Sequence, residues 1–441
     1  MYVEEPTARM HERSLPSRGY AWYVVFILML CQLLASVDAH LPFILVEVLK
    51  DDLGLSDTQI GLINGPAFSL VYATAAIPIA RLSDRRNRIA IISGAIVIWS
   101  GFTAAAGAAH TFGSLAFTRI GVAVGESALT PAAHSVIASY LPVSSRAKGI
   151  AIYSFGVAVG AFVAFAAGGY IGEHFGWRTA FLAVGGTGLF MAILMLTTVR
   201  EPLREQRSSG TYVSQGSVSR LLKHPVIRNL LAGGALLGFS SGAIESWGPA
   251  YVMRTFGLST TETGMTFGIV MGILAMVGML AGGFIASWLS ARHPRYALQM
   301  LAIVLVLATI AQVGSLVVDS YSQFLVLVAI TVLLSSFYIG PTYATLQSMV
   351  DSGERSLVSA IALFCFNGMG IAAGTLVVGL LSDVLSNYSV THSLKWALLV
   401  VSFVKLWSVL HYWLASRKIT AFDEHFVPPH AGSGSVVTTA R

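Results

Sequence analysis

Charge is scarce in this chain. Asp, Glu, Lys and Arg make up 11% of its 441 residues, where a soluble domain carries about a quarter. With 55% hydrophobic residues and a mean hydropathy of +0.72, that shortage excludes a water-soluble globule. Cysteine is nearly absent: Cys31 and Cys365 both lie inside apolar runs, which excludes a disulfide framework and a cysteine zinc site. No G-x-x-x-x-G-K-[ST] loop, no H-E-x-x-H and no nucleophile elbow set between strand and helix occurs, so neither a nucleotide-driven pump nor an enzyme is expected. No metal or organic cofactor is expected either. The net charge of +6 does not point to nucleic acid, because the basic residues occupy short loops between apolar runs, where they set membrane orientation. The first apolar run contains Asp38 and follows a polar tail of about eighteen residues, a poor signal-peptide core, so the N-terminus is expected to be retained.

What is present is a series of long apolar runs. A hydrocarbon core of about 30 Å needs a helix of around 20 residues. Apolar runs and their Gly, Pro and charge punctuation predict twelve spans near 21–48, 58–80, 89–109, 113–141, 147–172, 178–199, 226–253, 262–289, 296–317, 321–349, 355–383 and 393–416. With both termini placed in the cytoplasm, 21 of the 27 Lys and Arg fall on the inner side, and that asymmetry sets the predicted topology. The fold class is therefore an all-α integral membrane protein: a tail at 1–20, a six-helix half at 21–199, a cytoplasmic linker at 200–225, a second half at 226–416 and a tail at 417–441.

The halves resemble each other. Asp38-Ala-His-Leu-Pro42 matches Glu245-Ser-Trp-Gly-Pro249, Gly54-Leu55-Ser56 matches Gly257-Leu258-Ser259, and Leu82-Ser83 with Arg85 and Arg88 matches Leu289-Ser290 with Arg292 and Arg295. Two related six-helix halves imply a pseudo-symmetric transporter with its site between them.

Charges inside the spans carry the functional signal. A charge at mid-bilayer costs about 2.5–3.5 kcal/mol even on the lenient insertion scale, so Asp38, Arg119, Glu126 and Glu245 together would cost on the order of 10 kcal/mol. They must face a polar cavity or one another. Arg119 and Glu126 are seven residues apart, on nearly one helical face. The first half also places His40, Thr130 and His134 in its spans, and the second offers Glu245, Trp247, Tyr251, Tyr338, Tyr343 and Asn367 amid glycine and aliphatics. One charged wall and one aromatic-apolar wall suit an amphiphile. His40 and His134 read more simply as packed, satisfied histidines, and Lys405 as a snorkelling side chain or a helix contact. Gly156/Gly160, Gly268/Gly272 and Gly370/Gly374 have the spacing of close helix crossings.

IARLSDRRNR (79–88) resembles the loop motif of the major facilitator superfamily, G-x-L-x-D-R-x-x-R-R in outline, with Ala80 in place of the glycine. TRIGVAVGESALTP (118–131) resembles the fourth-span pattern T-R-x-x-x-x-x-G-E-[AS]-[AS] of the spinster group, and SVDAHLPFILVEVL its first span, although Ala39 stands where other spinsters carry arginine. The resemblance implies proton-driven movement of sphingolipids or lysophospholipids by alternating access. It also implies that the first and fourth spans line the cavity. On that basis Asp38, Arg119 and Glu126 are expected to couple protons, the proton being the coupling ion. Arg119, Glu126, Thr130, His134, Glu245, Trp247, Tyr338, Tyr343 and Asn367 are expected to meet substrate. Asp84, Arg85 and Arg88 are expected to form a cytoplasmic gate. The expected substrate is an amphiphilic lipid-like anion, with a small organic anion as the alternative carrier substrate and a non-transporting receptor as the alternative class. The expected partner is the bilayer, the expected oligomeric state a monomer, and the compact loops suit a bacterial inner membrane.

Overall fold

A computed structural model describes residues 17–419 apart from 84–85, 203–216, 352–353 and 389. Among the described residues all regular structure is helical. The first half contains α1 (Arg18–Ile44), α2 (Val46–Leu53), α3 (Asp57–Asn64), a π-wound turn at Pro66–Leu70 leading into α4 (Val71–Ser83), α5 (Arg88–Ala106), α6 (Phe112–Glu126), α7 (Leu129–Tyr140), α8 (Val143–Phe175) and α9 (Trp177–Thr198). After the short α10 (Ser217–Lys223), the second half contains α11 (Pro225–Phe256), α12 (Thr260–Gly268), a π-wound turn at Ile269–Leu274, α13 (Ala275–Ser290), α14 (Pro294–Val317), α15 (Tyr321–Ser335) and α16 (Ile339–Ser348). It ends with α17 (Arg355–Leu363), a third π-wound stretch at Phe364–Ile371, α18 (Ala372–Asn387) and α19 (Ser393–Lys418).

Nine rods among the described residues are long and apolar enough to cross a membrane by length and composition. Three more run beside them and have local reasons to fall short. The rod at 57–83 breaks at Gly65, ahead of its π turn, and contains Pro78. The rod at 112–140 breaks at Ser127 and Ala128. The third, α11, carries Arg228, Glu245 and Arg254.

The internal repeat is built into the backbone. Gly54 (φ 62°) and Gly257 (φ 68°) each end a helix in the left-handed region, a conformation that strains any residue with a Cβ. Ser56 and Ser259 then cap the next helix, closing reciprocal capping boxes with Gln59 and Glu262. The π turns that follow begin 203 residues apart, at Pro66 and Ile269.

The glycine pairs sit at close crossings. A Cβ on Gly156 or Gly160 would lie 2.5 or 2.4 Å from a carbonyl oxygen of α1. Gly268 and Gly272 face the α8 backbone across the boundary between halves, and Gly370 and Gly374 face that of α11. The apolar core has an asymmetric plan. At the end remote from Ser17 and Ile419, one cluster runs through both halves, joining Leu41, Ile60, Trp177 and Phe165 to Trp247, Phe267, Phe324 and Val378. Toward the terminal end the core divides: Val24, Ile96, Val136 and Met195 form one cluster, and Leu230, Leu301, Leu346 and Tyr412 another. The halves are thus fused at one end and separate at the other.

Gly374 gives the clearest packing test, because its Cβ would fall 1.9 Å from the Phe239 carbonyl oxygen, whereas nothing lies within 4 Å of a Cβ on Gly94. Gly374→Ala is expected to destabilise the protein by about 1–3 kcal/mol through overpacking and to lower the Tm in detergent, with Gly94→Ala leaving it unchanged or slightly raised.

Candidate functional site

Arg119 projects from α6 into the first half and is 1% exposed. Its NH1 donates to Asp38 Oδ1 at 3.3 Å and to the Asp38 carbonyl at 3.4 Å. Its guanidinium carbon lies 4.6 Å from the centre of the Phe68 ring, a cation–π contact strengthened by dehydration. Thr103 of α5 donates its hydroxyl to the other Asp38 oxygen. Four rods therefore meet on one buried ion pair, whose hydrogen bonds engage both Asp38 carboxylate oxygens and the NH1 of the guanidinium. Glu126, one helical face along, has no share in it. Its Oε1 and the Arg119 Nε are both buried without a hydrogen-bond partner among the described residues.

Between the halves lies a cavity of about 530 Å³. The first half lines it with Gln32, His40, Phe68, Tyr72, Glu126 and Thr130, the second with Glu245, Gln312, Tyr338, Asn367 and Lys405, amid aliphatic and aromatic side chains. Of the expected substrate residues, Glu126, Thr130, Glu245, Tyr338 and Asn367 line it, and Arg119, His134, Trp247 and Tyr343 do not. Helical rotation explains two of the four absences. Trp247 lies two residues, about 200°, on from Glu245; it turns away and donates its indole N–H to the Thr375 carbonyl at 2.9 Å. Tyr343, about 140° on from Tyr338, packs on Phe366, while His134 stacks edge-on to Tyr153. Arg119 is withheld by Asp38.

Two residues read as ordinary packing are drawn into the cavity. His40 Nε2 meets Glu245 Oε1 at 2.8 Å, bridging the halves, and its Nδ1 meets the Ser36 carbonyl at 2.7 Å. A carbonyl only accepts, so Nδ1 carries a hydrogen; the Nε2–Oε1 bond then requires one more, on the ring or on the carboxyl. The bridge holds one shared proton. Lys405 does not snorkel: it is fully buried and donates to Gln312 Oε1 at 2.5 Å and Ser335 Oγ at 2.9 Å. It is a helix contact, but one on the cavity wall.

At the remote end a polar lock joins the halves. Arg254 of α11 grips both oxygens of Asp57 at 2.8 Å and also reaches Glu47. Lys50 and Ser382 donate to the same Asp57 carboxylate. Asp383 accepts the Asp57 and Thr58 backbone N–H groups, and Glu173 that of Thr261. Burial alone would raise the Asp57 pKa, but the hydrogen bonds and charges of Arg254 and Lys50, with the Ser382 hydroxyl, hold it well below the usual carboxylate range. Arg88, expected in a gate, stays within its own half, bonded to Glu201, Ser135 and Ser139. Asp84 and Arg85 lie outside the described residues.

Two repeated halves of long apolar helices, closed together at one end around a cavity with buried charges, define a multi-pass membrane transporter and not an enzyme. The chain belongs to the Major Facilitator Superfamily, whose family model matches residues 28–375. It is 33% identical to an MFS-type efflux pump of Mycolicibacterium smegmatis, over 92% of this chain and 95% of that protein. It is 25% identical to a hexuronate transporter of Bacillus subtilis, over 83% of this chain and 89% of that one. Within the superfamily it is spinster-like. A crystal structure of a bacterial homologue of the human lysosomal transporter spinster, in an inward-facing and unoccupied conformation, matches it with a TM-score of 0.84 and 26% identity, covering 94% of this chain and 100% of that one.

The lock has a testable pH signature. A depressed carboxylate keeps its partners at every pH above its lowered pKa, so mild acid does not release Asp57. Spin labels across the remote end should show no separation on acidification from about pH 7.5 to about pH 5, well above the range where Asp57 titrates. Arg254→Gln removes one partner of a buried charge and should shift the population toward a separated remote end by about 2 kcal/mol or more.

Proposed function

We propose that the protein is a secondary carrier working by alternating access, coupled to protons, that moves an amphiphilic lipid-like anion. The observation that carries this reading is the cavity between the halves: an apolar enclosure with a few ionisable groups at its wall, beneath a core shared by both halves at one end only. In the proposed orientation the termini are cytoplasmic and the lock faces outward, so the cavity here is reached from the cytoplasm. The carrier works as a monomer in a bacterial inner membrane.

The coupling we propose uses the competition for Arg119. While Asp38 holds the guanidinium, Glu126 stands at the cavity wall without a cation and binds a proton. When rearrangement of the halves brings Arg119 to Glu126, that proton is released and Asp38 becomes the site to be neutralised. The shared proton between His40 and Glu245 would be freed as the remote end parts. Support for a lipid-like substrate comes from the mostly apolar lining and from what the resemblance to the spinster group implies. A second reading, a proton-coupled carrier of small organic anions, is favoured by the likeness to the hexuronate transporter.

The test is flux of a fluorescent lysophospholipid into proteoliposomes under an imposed pH gradient. The wild type should respond to the gradient, and Glu126→Gln should lose at least about tenfold of the gradient-driven rate, the scale of a removed proton-transfer group, while keeping the wild-type Tm. Gradient-driven uptake of glucuronate with no lysophospholipid flux would select the second reading. Full gradient response in Glu126→Gln would remove Glu126 from the coupling.

A further inference from the structure

Among the described residues, the second half carries a cation that no carboxylate answers. Lys405 lies mid-way along α19 (Ser393–Lys418), about 18 Å from either end at 1.5 Å per residue, beyond the reach of its own side chain to an interface. It is 0% exposed, and no ion pair among the described residues includes it. Its two hydrogen bonds go to neutral oxygens, Gln312 Oε1 and Ser335 Oγ, whereas an ammonium has three donors. Gln312 is itself fixed, its amide N–H donating to Ser240 and Ser402 at 3.3 and 2.7 Å, so its carbonyl is turned toward the lysine by a built network.

All three groups, Lys405, Gln312 and Ser335, line the central cavity, and among the described lining residues Lys405 is the one Lys or Arg. The opposite wall cannot take an anion in this conformation. Glu126 stands there, and Arg119 is held by the Asp38 carboxylate and does not line the cavity. As a mere helix tie, a lysine here would be costly, since Gln or Met could fill the site without burying a charge.

We propose that Lys405, presented by Gln312 and Ser335, is the anion-binding pole of the cavity and takes the carboxylate or phosphate head of the substrate on its third N–H. The apolar remainder of the substrate then lies against Phe68, Leu129, Val332, Ile339 and Ile371, which line the same space. The assignment rests on the reading of this cavity as the substrate site of an organic-anion carrier. It adds that charge selection resides in the second half, apart from the competition of Asp38 and Glu126 for Arg119 in the first.

The experiment measures binding to the full chain in nanodiscs with three probes: glucuronate, lysophosphatidylglycerol and neutral monoacylglycerol. Wild type is compared with Lys405→Met and Lys405→Gln, and the Tm of each is recorded. The expected result is saturable binding of at least one anion by the wild type. Both variants should weaken it at least about tenfold, the loss of one charge-assisted hydrogen bond, with monoacylglycerol affinity and Tm held. Which anion binds distinguishes a lipid head from a free carboxylate. Undiminished anion affinity in either folded variant would overturn the proposal, as would an equal fall for the anion and monoacylglycerol, which marks a structural role. A wild type that binds none of the three would instead overturn the carrier reading and this proposal with it.

Discussion

The burial of Arg119 is the constraint on which the rest of the first half depends. A guanidinium that is 1% exposed in a membrane helix is tolerable only if its neighbours replace the water it has lost. Asp38, Phe68 and the Asp38 carbonyl do so from two other rods, with Thr103 steadying Asp38 from a third. The pair thereby fixes how these rods converge. It also leaves Glu126 at the cavity wall with an unmatched oxygen. One cation between two carboxylates cannot satisfy both, and that shortage is what gives the proposed coupling its two states.

The repeated halves use the same corners for different chemistry. Gly54-Leu55-Ser56 and Gly257-Leu258-Ser259 make equivalent turns, each a left-handed glycine followed by a serine cap. Just before them the repeat diverges. Asp38 is spent on Arg119, while its counterpart Glu245 reaches across to His40. In the second half the buried polar network is Gln312, Ser240, Ser402 and Lys405. The duplication supplies a symmetric frame, and the interior charges make its two walls unlike. The remote lock follows the same logic: Arg254 has acidic partners because the first half places Glu47 and Asp57 opposite it.

Much of this was legible in the sequence. Apolar run length, the basic loops and the matched Gly-Leu-Ser segments indicated two related helical halves, and the family resemblance agrees with the match to residues 28–375. The seven-residue spacing of Arg119 and Glu126 placed both on one face, and the cost of burying Asp38 and Arg119 required that they face a cavity or one another. What was not legible depended on helical phase and on contacts between distant helices. Trp247 and Tyr343 look like cavity aromatics in composition but rotate away from it. Lys405 read as a snorkelling residue or a helix contact, without its place on the cavity wall, because nothing local shows that Gln312, 93 residues earlier, supplies its acceptor. The π turns at Pro66–Leu70 and Ile269–Leu274 add a residue to a helical turn and so shift the phase of everything beyond them.

The central claim is that Glu126 carries a proton while Asp38 holds Arg119, and infrared difference spectroscopy addresses it directly. Spectra of the protein in lipid, recorded over a series of pH values, report protonated carboxyl groups by their C=O stretch. The account requires a protonated-carboxyl band that is missing from Glu126→Gln and retained in Asp57→Asn. A difference spectrum identical in wild type and Glu126→Gln would contradict it.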